Sequence, residues 1–254
     1  MTTLDELIAE KGWVIADGAT GTNYFKLGLE TGYPPELWNV ERQDDVAGLH
    51  TAFIKAGSQL VLTNSFGGTH HRLRLHEAQD RVAELNEAAA RIARKAADAA
   101  NGPVAVAGSI GPTGELFAPM GALDYADARA AFTEQALALA EGGADILWVE
   151  TMSSLEEVKA AVDAAKATGL PVAGCMTFDT AARSMMGVTP AEFAEQTMAM
   201  APTSSAPIAG SDQLNFCIRC VKCFPSSTGQ SSQKGIAAFP PMLMAESIIM
   251  ARRH

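Results

Sequence analysis

Before residue 180 the chain repeats one pattern five times: a short apolar, β-branched run breaks into a turn of glycine and small polar residues, and a helical pattern follows. The first instance is Trp13-Val14-Ile15-Ala16-Asp17-Gly18-Ala19-Thr20-Gly21-Thr22, preceded by a polar, helix-like opening. An apolar run of this length, closed by glycines, reads as a fully buried strand. Asp17 sits where the run ends. A carboxylate at that position, beside glycines that let backbone approach a ligand, suits a binding site and equally suits an Asx turn or helix cap.

The later repeats follow in order. Residues 45–56 carry helical spacing through Val46, Leu49, Phe53 and Ile54, and Gly57 stops them. A strand over 60–65 runs into Gly67-Gly68, and an Ala-rich helix over 77–100 follows, with Arg81, Glu84, Arg91, Arg94 and Lys95 on its solvated face. A third strand over 104–109 ends in Gly108-Ser109-Ile110-Gly111-Pro112-Thr113-Gly114, before a helix over 124–141. The fourth, 146–150, leads into Thr151 and a helix over 154–167. The fifth, 172–178, ends at Asp179-Thr180, with a helix starting at Pro190, a residue suited to a first helical turn.

Buried strands alternating with helices, with no two-residue hairpins, require parallel pairing through right-handed crossovers. A doubly wound sheet and a (β/α)₈ barrel both satisfy this. The polar or glycine-rich turn after every strand favours the barrel, in which all strand ends feed one site. Five units are visible, and the stretch after residue 200 is too short to supply the rest, so the expected barrel is incomplete.

Of 254 residues, 48% are hydrophobic and 19% charged, enough to bury one substantial core. The 29 acidic and 19 basic residues give a net charge of -10 and argue against nucleic-acid or anionic-membrane partners. Small-molecule ligands fit better. Asp5, Glu6 and Glu10 exclude a secretory signal from the first residues, and four unevenly placed cysteines do not make a disulfide framework, so a cytoplasmic location is expected. His70, His71 and His76 lack the spacing of a metal set and read as a solvated loop. Cys175, inside the fifth strand, reads as a small buried hydrophobe.

The motifs Asp17-Gly18-Ala19-Thr20-Gly21-Thr22, Thr63-Asn64-Ser65-Phe66, the 108–114 turn, Val149-Glu150-Thr151 and Met176-Thr177-Phe178-Asp179-Thr180 together resemble the homocysteine S-methyltransferase family. The resemblance runs from about Trp13 to Met200. It implies a (β/α)₈ TIM-type barrel over 1–201, a zinc ion held by three cysteines, and methyl transfer from a small donor to the homocysteine sulfur. The donor could be betaine-like, sulfonium, or methyl-folate acting through a separate corrinoid protein. By position, the resemblance makes Asp17, Gly18, Asn64, Glu150 and Thr151 the homocysteine site, a strand-end carboxylate being suited to an ammonium. It makes Trp38 and Phe66 the donor pocket, where a cation over a ring gains about 0.5 to 2 kcal/mol; plain core packing is the alternative for both. Gly67 departs from the family, since betaine-using members carry a tyrosine there.

The larger departure is at 202–254. The family's Asn-Cys-Gly and Gly-Gly-Cys-Cys zinc turns are absent, and Cys217, Cys220 and Cys223 in a C-x-x-C-x-x-C run are a poor substitute without a fourth ligand. The genetic code offers a reason. An allowed back-translation of Pro202 to Gly210, read from the last base of the first codon, spells Asp-Leu-Val-Gly-Ala-Asn-Cys-Gly. The same register over 233–240 permits Glu-Gly-Asn-Cys-Gly-Ile-Pro, again family-like. The expectation is a frameshifted, truncated, irregular tail, and a polypeptide that holds no zinc and is inactive as a methyltransferase. Its alternative role is a non-catalytic amino-acid-binding or subunit-like protein that keeps the substrate pocket, and it could form homo-oligomers.

Overall fold

The computed structural model describes residues 3–11, 13–152, 154–178, 182–200, 214–220 and 249–251. In order these form α1 (Thr3–Lys11), β1 (Trp13–Ile15), α2 (Gly21–Lys26), α3 (Trp38–Glu41), α4 (Gln43–Lys55), β2 (Leu60–Leu62) and α5 (His70–Arg74). There follow α6 (Val82–Asp98), β3 (Ala105–Ile110), α7 (Tyr125–Glu141), β4 (Ile146–Val149), α8 (Leu155–Ala165), β5 (Val172–Phe178) and α9 (Pro190–Met200). Two further strands, β6 (Leu214–Cys220) and β7 (Ile249–Ala251), lie in the stretch where an irregular tail was expected.

Strands β2 to β6 form one parallel sheet in sequence order. β1 joins β2 through an Ala16–Leu60 bridge, reinforced by Asp17 N–H to Leu60 O at 2.9 Å and Gln59 N–H to Ile15 O at 2.8 Å. β7 pairs antiparallel with β1 on its other side. The result is an α/β fold whose parallel strands curl into a half-barrel, the incomplete TIM-type barrel that the strand–helix alternation calls for.

Side-chain alternation sets the two faces. Val14, Ala16, Leu60, Ala105, Ala107, Ile146, Trp148, Ala173 and Cys175 fill the concave side, and Leu4 and Leu7 of α1 pack against them. The opening thus forms an amphipathic helix against the base of the half-barrel. On the convex side Ile110, Leu147, Val149, Val172, Met176 and Phe178 meet the buried stripes of α7, α8 and α9. The helices start at side-chain caps: Asp124 accepts from Asp127 N at 2.8 Å, and Ser154 from Glu157 N at 3.1 Å. β2 ends three residues short of the expected boundary, because Ser65 N turns back onto Thr63 O and the chain leaves the ladder.

Candidate functional site

A cavity of about 580 Å³ opens at the carboxyl ends of β1 to β4. Its floor comes from strand ends: Asp17 after β1, the 62–67 segment at and after β2, Ser109 of β3 and Glu150 after β4. Residues 18–21 and 32–36 wall one side, and Arg72 and His76 complete it.

Asp17 is buried, and its carboxylate accepts the Leu62 N–H at 2.9 Å. Burial holds its pKa well above the usual carboxylate range; the Glu150 charge adds to this, while the Leu62 N–H opposes it. Glu150 accepts the Ser109 hydroxyl at 2.6 Å. Ser109 is in turn fixed by its neighbours. Ser65 Oγ spends its proton on Ser109 O at 2.7 Å, so in the 2.6 Å contact between Thr63 and Ser65 it is Thr63 Oγ1 that donates. Thr63 Oγ1 then accepts from Ser109 N at 2.9 Å, closing a ring of three hydroxyl residues under the two carboxylates. Two carboxyl groups facing one cavity, one held back from ionising by burial, present hydrogen-bond acceptors that a cation such as an ammonium group could meet.

The sequence-predicted residues fall on both sides of this boundary. Asp17, Gly18, Asn64, Phe66 and Glu150 line the cavity. Asn64, however, spends its amide protons within the protein, on Pro35 O at 2.7 Å and Asn39 Oδ1 at 3.0 Å. Thr151 is exposed and outside the lining, but its φ of 61° puts a β-branched residue in the left-handed region next to Glu150. Trp38, expected either in the donor pocket or as core packing, lies outside the cavity lining, in an apolar cluster with Tyr24, Val46 and Phe53 and with the Arg42 guanidinium 4.0 Å from its ring centroid. Tyr33, which sequence reasoning passed over, is the aromatic that accompanies Phe66 in the cavity wall. His76 also lines the cavity, at its rim, and is exposed in a turn as expected from the sequence. Cys175 is buried in the barrel interior, as expected.

Glu36 was missed altogether. It is buried, its carboxylate accepts the Gly67 N–H at 2.6 Å, and burial raises its pKa, with Arg72 among the groups that oppose the rise. A Cβ on residue 67 would lie 2.9 Å from Glu36 Oε1. The carboxylate therefore occupies the space next to Gly67, a physical reason for glycine there. The one signal in the sequence was an acidic residue directly behind Pro34-Pro35, in a segment whose burial is not legible from local pattern.

A family model for homocysteine S-methyltransferase matches residues 14–229. The chain belongs to the homocysteine S-methyltransferase family. Similar curated proteins include methionine synthase of Mycobacterium tuberculosis, 34% identical over 161 residues, which cover 60% of this chain and 13% of that protein. Betaine–homocysteine S-methyltransferase 1 of Sus scrofa is 31% identical over 192 residues, 74% of this chain and 65% of the relative. Among solved structures, the metallated homocysteine methyltransferase MmuM of Escherichia coli superposes with a TM-score of 0.66 at 22% identity, over 78% of this chain and 74% of its own, which supports the fold. The chain thus spans about an eighth of the methionine synthase it matches and about two thirds of the betaine enzyme.

The three-thiolate zinc site implied by the family resemblance does not fit the described residues. Among them no three His, Cys, Asp or Glu side chains are grouped to hold a metal. Cys175 sits in the barrel interior, Cys217 and Cys220 fall on β6, and Cys223 lies outside the described residues. Also among the described residues, no helix is long and apolar enough to cross a membrane.

Proposed function

We propose that the cavity binds homocysteine, the methyl acceptor of the family, with its ammonium between Asp17 and Glu150 and its sulfur directed toward the open side of the half-barrel. The observation that carries this reading is the convergence of those two carboxylates over the Ser109–Thr63–Ser65 hydroxyl ring. An ammonium between them offsets the burial cost and the smaller Glu150 repulsion that together raise Asp17, and the charge-assisted hydrogen bonds fix the substrate's orientation. Phe66 and Tyr33 in the outer wall offer ring faces to a cationic donor such as a betaine or a sulfonium. A methylated corrinoid on a separate protein is the other donor class, suggested by the methionine synthase similarity.

Transfer requires a thiolate. A free thiol with a pKa near 8.5 is mostly protonated at neutral pH, and the family's zinc supplies the deprotonation. With no thiolate set for the metal among the described residues, we infer that this polypeptide binds the amino acid without methylating it. The test combines calorimetric titration with L-homocysteine, zinc analysis of the purified chain, and a methionine assay with betaine and S-methylmethionine. The expected result is homocysteine binding, zinc below one equivalent and no methionine. One equivalent of tight zinc with methionine formation overturns the inactive reading, and absence of homocysteine binding overturns the site assignment.

A further inference from the structure

The segment that follows β2 carries much of the cavity wall, yet it is irregular backbone in a buried place. Leaving the β ladder strands its carbonyl groups, and each buried carbonyl without a donor costs about 1 to 3 kcal/mol. Three fully buried side-chain amides, none in the cavity lining, supply the donors. Asn39 of α3 gives its Nδ2 protons to Asn64 O at 2.7 Å and Leu85 O at 3.2 Å. Asn86 of α6 gives its own to Gly68 O at 2.8 Å and Val82 O at 2.7 Å. Gln135 of α7 reaches Ser65 O at 2.7 Å, Asn86 Oδ1 at 3.1 Å and, at 3.4 Å, Ser109 O.

Gln135 is the member that touches both sides. Its Nε2 sits between the carbonyl of Ser65, in the segment after β2, and that of Ser109 in β3, while Asn86 ties it to the carbonyl of Gly68. The Ser109 side chain, on the opposite face, carries the hydroxyl that donates to Glu150. The backbone also records the clamp. A Cβ on Gly68 would fall 2.3 Å from Asn86 Oδ1 and 2.8 Å from Gln135 Nε2, so the two amides close on space that only glycine leaves open. Reversing the Gln135 amide would set its oxygen against three acceptors, so the side chain has one productive orientation, kept although its Oε1 is buried without a partner.

We propose that Gln135, braced by Asn86, is a positioning residue for the amino acid site: from outside the barrel it fixes the Ser65 and Ser109 carbonyls relative to one another and thereby the Ser109 hydroxyl that orients Glu150. The inference rests on the homocysteine reading of that site, and its test separates the two. Gln135→Leu removes the donors at similar volume. Gly68→Ala keeps every donor and pushes the amides off the loop, which covers the case in which Gln135→Leu does not fold. Phe132→Leu, on the same helix but in the apolar core, is the control for lost stability alone.

In the full chain both test variants are expected to lower homocysteine affinity at least tenfold. Amide hydrogen exchange at Gly67, Ser109 and Gly111 is expected to accelerate at least tenfold while α8 keeps its protection. Phe132→Leu is expected to leave affinity within twofold. Undiminished affinity in both variants overturns the proposal, and so does an equal loss in Phe132→Leu. Should the unaltered chain not bind homocysteine, the site assignment fails and the exchange data decide the clamp: acceleration confined to the two loops sustains it, and unchanged exchange refutes it.

Discussion

His50 of α4 should give this protein an acid-labile element of predictable size. The side chain is 2% exposed, its Nε2 has no hydrogen-bond partner, and burial holds its pKa down to about 4 from an ordinary 6.5. The folded state therefore resists a proton that the unfolded chain accepts between those two values. Stability from this group is fully present above the unfolded pKa and is lost as pH falls toward the folded pKa. A difference of 2.5 units at about 1.4 kcal/mol per unit gives a total loss of about 3 kcal/mol, of which about 2 kcal/mol is gone by pH ~5. Asp17 and Glu36 run the other way, because buried carboxylates with raised pKa values favour the fold as they become protonated. The measurement must therefore be a difference. His50→Leu, apolar and of similar volume, removes the titration and keeps the other groups. Urea unfolding of both proteins at pH ~7.5 and ~5 should show the unaltered chain losing about 2 kcal/mol more than the variant. Parallel losses in the two proteins would refute the reasoning and place the acid sensitivity elsewhere.

Three further outcomes are expected. Asp17→Asn removes a carboxylate whose ionised form the fold disfavours, so urea unfolding at neutral pH should show a gain in stability while homocysteine affinity falls at least tenfold by calorimetry; loss of both would mean that Asp17 serves mainly to hold Leu62. Glu157→Ala strips the acceptor from Thr113 N at 3.0 Å and Thr113 Oγ1 at 2.8 Å, which should cost about 1 to 3 kcal/mol, read as a lowered urea midpoint; an unchanged midpoint would show that the 111–114 turn is held by other means. Sequencing the gene across codons 195 to 254 should reveal an Asn-Cys-Gly triplet in the alternative frame at codons 207 to 210, and a stop codon in that frame upstream of the triplet would dispose of the frameshift.

The repeating strand–turn–helix pattern was enough to give parallel pairing, because burial on both faces of a strand leaves a continuous apolar run that no solvated hairpin would carry. Strand ends were legible for the same reason: Asp17 and Glu150 each stand where an apolar run stops, and in a parallel barrel all such positions gather at one end. Trp38 and Tyr33 show where that legibility stopped. Both are aromatics near a turn, and only packing decides that Arg42 and Tyr24 enclose one while the other faces the cavity. Glu36 is buried by a contact with Gly67, thirty-one residues away, which no local period encodes. Asn86 and Gln135 did leave a trace, as amides interrupting the apolar stripes of α6 and α7 beside Val82, Leu85, Phe132 and Leu139. The stripes show that these amides point inward. Which carbonyls they meet depends on how far two helices slide along the sheet, and tertiary packing alone sets that distance.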